Sequence, residues 1–342
     1  MKKIYLYFTM ILVLLLIVSH NVMGHVPRGA EENDSLEHAM HINEPKKSWA
    51  IYHELENKEQ ARYYELHLEK GDRFYASLLT PEDGDFSPGL VIMGPGLDSI
   101  DSAPSNVEVP EDVDVLVLEG EKEEEAEYEP FTPASNYFLT SYDEIVNESG
   151  DYYIVVFENF TGGKYILAVG YQESFTIIEW LKVPIDQINI YIWTGHSPLL
   201  IAAPFLIWIV AGIWFLLRRL KLNTINVWLT ALGGLIYLGS GTLIAIEMTI
   251  ALTRTPATAS VIVTLIFILI PALLGMVIFM KIKKNENVLD RQNRIVFAIY
   301  GFLGLIFWCG VIIGPILVLL SSVLPILYVP KMKPEVKKKQ VE

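Results

Sequence analysis

The chain has 342 residues, a single cysteine and a formal net charge of −14, so neither a disulfide framework nor a cysteine-based metal site is available to it. The charge is divided: residues 25–197 carry 35 acidic and 10 basic side chains, whereas 198–342 carry 5 acidic and 14 basic. A front part this acidic repels phosphate backbones and argues against a nucleic-acid partner.

In chain order, Met1–Lys3 is a short basic start, Ile4 to Val18 is apolar, and Val22-Met23-Gly24 offers a cleavage site. This pattern predicts a secretory signal peptide over 1–24, with an uncleaved anchor helix as the alternative. Cleavage there makes His25 the N-terminus, which could chelate copper together with His38, His41, His53 or His67. No spacing among these histidines is specific to one metal site, so no metal ligand and no cofactor is assigned. Residues 25–47 are polar and read as an N-terminal arm.

A β domain is expected over 48–171. Ser48–Leu55, Ala61–Leu68 and Arg73–Leu79 alternate apolar and polar side chains, with a Gly71-Asp72 turn between the last two. Gly89–Met93 and Val113–Leu118 are short apolar runs, the first closed by Gly94-Pro95-Gly96. Tyr152–Phe157 and Lys164–Gly170 form a strand pair around Asn159–Gly163. Seven or eight short aromatic and β-branched strands separated by Gly, Pro and Asp predict an antiparallel sandwich or jelly roll.

The runs GDRFYASLLTPE, FSPGLVIMGPG and GDYYIVVFENFTGGKYILAVG resemble the bacterial and archaeal pre-peptidase C-terminal-like domain, whose GxYxIxV…GxYxLxV pattern is matched at 150–169. The resemblance covers about a third of the chain and implies a jelly-roll fold that accompanies a secreted protease or binds a surface. It carries no activity, and the whole arrangement is similar to uncharacterised archaeal membrane proteins with such an ectodomain.

Glu119–Glu129 is a dense acidic run that reads as a charged, mobile loop, and Glu82–Asp85 is an acidic turn. Neither matches a calcium-loop pattern. Asn33, Asn147 and Asn159 head Asn-x-Ser/Thr sequons and are glycosylation candidates in an exported domain. No nucleophile elbow, zinc-protease helix motif or phosphate loop is present, and no catalytic residue is singled out, so an enzyme is not expected.

Residues 172–197 read as an amphipathic juxtamembrane joint. Phe175, Ile178 and Leu181 share a helical stripe, Pro184 is expected to break the helix, and Trp180, Tyr191 and Trp193 suit a headgroup region. His196 follows as an interfacial residue.

A helical transmembrane bundle of four or five segments then follows over 198–329. The expected segments are 198–217, 225–250, 260–280, 295–313 and 315–329, the last two from folding back the apolar block near Gly310–Pro315. A single tilted span is the alternative for that block. Arg218, Arg219 and Lys221, the lysines at 281–284 and the basic tail 330–342 place these ends in the cytoplasm and the front domain outside. Glu247 is the one clear ionisable residue inside a span; it is either a functional group or a partner of Arg254. Gly233, Gly234, Gly239 and Gly241 predict close helix packing.

These features predict a multi-pass cell-membrane protein with an extracellular binding or interaction module. Its partners are the lipid bilayer and a cell-surface protein or polysaccharide. The alternative is a transport or signalling component whose bundle is the working part.

Overall fold

In the computed structural model the described residues are 24–29, 31–57, 60–97, 99, 101–219, 224–284 and 290–326. The expected signal peptide, apart from its last residue Gly24, and the basic tail lie outside them. Among the described residues there are eleven strands followed by six helices. They form two compact units: residues up to Pro198 together with Ile244–Ile266, and Leu199–Leu243 together with those from Phe267 onward.

The first unit is built on two sheets. One holds β1 (Val26–Gly29), β3 (Trp49–Leu55), β11 (Gly163–Val169), β5 (Arg73–Thr80), β9 (Ala134–Ile145) and β8 (Glu127–Glu129) in that order. The other runs β2 (Met40–His41), β4 (Ala61–Leu68), β10 (Gly150–Phe157), β6 (Gly89–Gly94) and β7 (Asp114–Leu118). The edge pairs β1–β3 and β2–β4 are parallel, and the rest are antiparallel. The segment 25–47, expected as a polar arm, therefore supplies two edge strands. Val26 sits opposite Trp49 and Met40 opposite Tyr64, because exposed strand edges offer it backbone partners that side-chain pattern does not reveal.

The alternation of β3, β4, β5, β10 and β11 turns one face of each sheet inward. Ile51, Leu66, Phe74, Leu78, Ile154 and Leu167 meet in that core, all 1 % exposed or less. Tyr64 and Tyr165 join the two sheets through hydroxyls 2.7 Å apart. Burial pushes the Tyr64 phenol up to about 12. The second sheet is covered on its other face too: Tyr63, Val91, Met93 and Val155 pack with Val107 and Val115. That is why β6 (GLVIMG) is apolar throughout and buried at every position.

The acidic run 119–129 is not loose. Glu121 N and Glu123 N donate to Leu139 O and Phe138 O at 3.1 and 3.2 Å, and residues 127–129 are β8. Lys122 Nζ donates to Glu82 O and Gly84 O, fastening the run to the acidic turn 82–85.

Helix α1 (Ile177–Trp193) follows the sheets. Its start is a capping box: Thr176 Oγ1 accepts from Glu179 N, and Glu179 Oε2 accepts from Thr176 N at 2.7 Å. Glu179 Oε1 also accepts from Lys47 Nζ at 2.6 Å, and that ammonium lies 4.5 Å over the Trp49 ring. Contrary to expectation, Pro184 does not end the helix. It lacks only its own amide, and the turns around it are held by burial of Val183, Gln187, Ile190 and Tyr191. The opposite stripe, Ile178, Ile185 and Ile192, is exposed.

Among the described residues three helices are long and apolar enough to cross a membrane: α2 (Pro198–Arg219), α3 (Ile225–Ala251) and α4 (Val261–Lys284). In the second unit, a Cβ on Gly239 would stand 2.6 Å from the Phe205 ring, and one on Gly233 2.5 Å from Val318, so these small residues allow close packing. The block from 295 is two shorter helices, α5 (Arg291–Ile306) and α6 (Ile313–Val323). The turn between them puts Trp308, Val311 and Ile312 at positive φ, a strained conformation for large side chains. Gly310 N donates to Ser240 Oγ at 2.8 Å within it. Arg294, in the first turn of α5, donates to the carbonyls of Ser322, Val323 and Leu324 at 2.6–2.9 Å and so caps the end of α6.

Candidate functional site

The last turn of α1 closes on Gly195, whose φ of +101° suits only glycine. Gly195 N donates to Ile192 O at 3.0 Å and His196 N to Tyr191 O at 2.9 Å, the paired bonds of a Schellman cap. This cap turns the His196 ring onto Tyr191, with centroids 5.9 Å apart and planes 11° from parallel. Glu247, in the final turns of α3, meets the same pair: its Oε2 lies 2.8 Å from His196 Nδ1.

That distance is an ion-pair distance, yet the contact lacks hydrogen-bond alignment. The Glu247 side chain is 0 % exposed. Among the described residues, six buried side-chain polar atoms have no hydrogen-bond partner, and four of them are here: Tyr191 Oη, His196 Nδ1 and both Glu247 oxygens. Leaving a polar group buried and unmatched costs about 1–3 kcal/mol, more for a charged one, so such a concentration calls for a physical reason. Burial, reinforced by the Glu247 carboxylate, also pushes the Tyr191 phenol well above its ordinary range, so it stays protonated.

Tyr191, His196 and Glu247 line a cleft of about 190 Å³, together with Pro133, Ile250 and Arg254. Arg254 is exposed and makes no ion pair among the described residues. Glu247 is therefore matched with His196 rather than with Arg254. A larger cleft of about 390 Å³, lined by Arg28, Trp49 and Glu179, is different in kind, because its Glu179 is already engaged by Lys47 at 2.6 Å.

A neighbouring network holds the same region. Gln187 Nε2 donates to Phe131 O at 2.5 Å, and Glu129 Oε1 accepts from Phe131 N at 3.0 Å. Burial pushes the Glu129 carboxyl up to about 7 against the pull of the Phe131 and Thr132 amides.

The sequons are spread apart. Asn147 and Asn159 are exposed, in the β9–β10 and β10–β11 connections. Asn33 is fully buried; its Nδ2 donates to Tyr63 O at 2.9 Å and its Oδ1 lies 3.0 Å from His53 Nε2. In the folded chain that amide is enclosed and engaged. The histidines do not gather: His25 Nδ1 lies 2.6 Å from Ser48 Oγ, His41 pairs with Glu65, and His67 with Asp151. Among the described residues no three His, Cys, Asp or Glu side chains converge as metal ligands.

The sequence marks Glu247 as a lone charge in an apolar helix. It gives no sign of Tyr191 and His196 as its neighbours, since spacing along the chain cannot join residues brought together from α1, its cap and α3. No protein-family model matches the chain, and no curated protein matches it. The resemblance at 150–169 accordingly rests on those residues alone.

Proposed function

We propose that the chain is a membrane-anchored, non-enzymatic binding module, with the β domain displayed outside the cell and the cleft at Tyr191, His196 and Glu247 as a ligand site. Three helices of membrane-crossing length support the anchoring. The basic residues after α2 and α4 support the outward orientation, and the resemblance to a pre-peptidase C-terminal-like domain fits a display role. The observation that carries the binding role is Glu247: a carboxylate with no exposed surface, facing a cleft, with neither oxygen hydrogen-bonded among the described residues.

The test is a thermal-shift screen of the full-length protein in detergent against amines, amino acids, sugars and salts, run in parallel on Glu247→Gln. The reading expects at least one compound to raise Tm in the native chain and not in the variant. If no compound gives a Glu247-dependent shift, the reading fails.

A second reading, a transport or signalling component, draws on the same residue, because a carboxylate in an apolar 27-residue helix is a frequent mark of an ion path. It expects cation or proton flux in proteoliposomes that Glu247→Ala abolishes.

A further inference from the structure

Resting on the binding reading, we propose that the cleft takes a small zwitterion with a primary ammonium group and an anionic group a few bonds away. Three buried oxygens of the residues that line it lack a hydrogen bond: Glu247 Oε1, Tyr191 Oη and Glu247 Oε2, the last with His196 Nδ1 at 2.8 Å but out of hydrogen-bond alignment. A primary ammonium has three N–H donors and a positive charge, so it satisfies all three and neutralises the carboxylate at once. The alternatives fit less well. A sugar hydroxyl brings one donor and no charge, and a divalent cation would find only Glu247 and His196 as ligating His, Cys, Asp or Glu side chains.

The walls agree with this assignment. The stacked Tyr191 and His196 rings line the same cleft. Pro133, Ile250 and Ala251 offer a short apolar side for one or two methylenes. Arg254 lines the same cleft, is exposed and has no ion-pair partner among the described residues, so it is available to an anion. At about 190 Å³ the space is smaller than the roughly 300–1,000 Å³ of drug-sized sites, which limits the bound part to a headgroup or a small amino acid.

That chemistry has two natural sources, a free amino acid and the ethanolamine-phosphate headgroup of a lipid. The experiment separates them. Full-length protein in detergent is titrated with glycine, β-alanine and O-phosphoethanolamine, and with the trimethylated counterparts glycine betaine and phosphocholine, which keep the charge but have no N–H. The same protein is placed in nanodiscs of phosphatidylcholine with and without phosphatidylethanolamine.

Stabilisation by a primary amine, absent with its trimethylated partner, supports the proposal. Response in the soluble arm assigns a free ligand, and response only in the nanodisc arm assigns the lipid headgroup. Glu247→Gln should weaken binding about 100-fold through loss of a charge-assisted contact, Tyr191→Phe about tenfold, and Arg254→Gln should remove the preference for a zwitterion over ethylamine. Tyr191→Phe keeps the ring stack and decides the matter if the Glu247 variant does not fold. Equal response to trimethylated compounds or to KCl overturns the proposal, as does a Glu247-dependent shift from a compound without an N–H cation; both leave the binding reading standing. The absence of any Glu247-dependent shift across the wider panel overturns the reading itself.

Discussion

Tyr128 Oη lies 2.7 Å from Thr264 Oγ1, and Thr264 donates its only proton to Pro130 O, also at 2.7 Å. Tyr128 must then be the donor to Thr264. One threonine near the start of α4 thus serves both the phenol of β8 and the carbonyl two residues further on. This buried relay ties the acidic β8 segment to a helix that follows it by more than a hundred residues.

The relay predicts an order of effects. Thr264→Val leaves the Tyr128 hydroxyl and the Pro130 carbonyl without their partner and is expected to cost about 2–4 kcal/mol. Tyr128→Phe leaves the Thr264–Pro130 bond intact and should cost about 1 kcal/mol. Urea unfolding of both single variants and the double variant measures this; a double variant as costly as the sum of the two would show that the hydroxyls are not coupled.

Lys47 and Glu179 set the acid limit of the α1 attachment. Burial raises the Glu179 carboxyl, but the Lys47 ammonium and the Thr176 cap outweigh it and hold the folded value below the ordinary 4.5. The folded state therefore prefers the ionised acid. Its stabilisation is complete above pH 4.5 and is lost as pH falls through the folded value. Glu179→Gln should remove this loss and, by leaving the buried Lys47 with only the longer 3.8 Å pair to Glu44, cost about 1–3 kcal/mol at neutral pH. Unfolding midpoints of the two proteins from pH 3 to 7 should converge at the acid end.

Glu129 has the opposite sign. With its carboxyl raised to about 7 by burial, the folded state prefers the neutral acid. The Glu129 contribution to stability is greatest below pH 4.5 and declines as pH rises from there through 7. Glu129 keeps some solvent exposure, so the decline should be about 1–2 kcal/mol rather than the full ~3 kcal/mol of the shift. Glu129→Gln should flatten the profile and be more stable than the native chain at pH 8. A native profile already flat between pH 5 and 8 would show the carboxyl to be unperturbed.

Arg294 closes α6 from the start of α5, with three donated bonds to the last carbonyls. Arg294→Met keeps an apolar stem and loses all three bonds. The expected cost is about 1–2 kcal/mol, seen as a lower Tm and as earlier proteolytic cleavage near Leu324, while Arg294→Lys should recover only part of it.

Much of this architecture is legible in the residues. The alternation in Ala61–Leu68 and Tyr152–Phe157 and the Gly-Gly turn at 162–163 mark β4, β10 and β11 as strands, but β10 and β11, expected to pair with each other, lie in different sheets, because the chain crosses from one layer to the other between them. The longest strand, β9, is not legible: ASNYFLTSYDEI mixes Asn, Ser, Thr and acidic residues, and follows a run whose charge suggests a loop. Its strand character comes from long-range pairing with β5, and pattern alone cannot supply that. Pro184 misleads for a related reason, since tertiary burial overrides a local penalty. At the site, composition exposes Glu247, but its histidine and tyrosine neighbours depend on how α1 ends at Gly195.

The strand order also bears on synthesis. β11 lies between β3 and β5, and β10 lies between β4 and β6, so the last two strands made take interior places, one in each sheet. A nascent chain that stops before residue 150 can form pairs such as β5–β9 and β6–β7 but can complete neither sheet. The domain thus assembles only when residues 150–169 arrive, immediately ahead of the first apolar helices. Until then the wholly apolar GLVIMG strand has β7 as its one sheet partner, and the edge that β10 will cover stays open. The dense negative charge on the nascent chain is what keeps it dispersed while it waits.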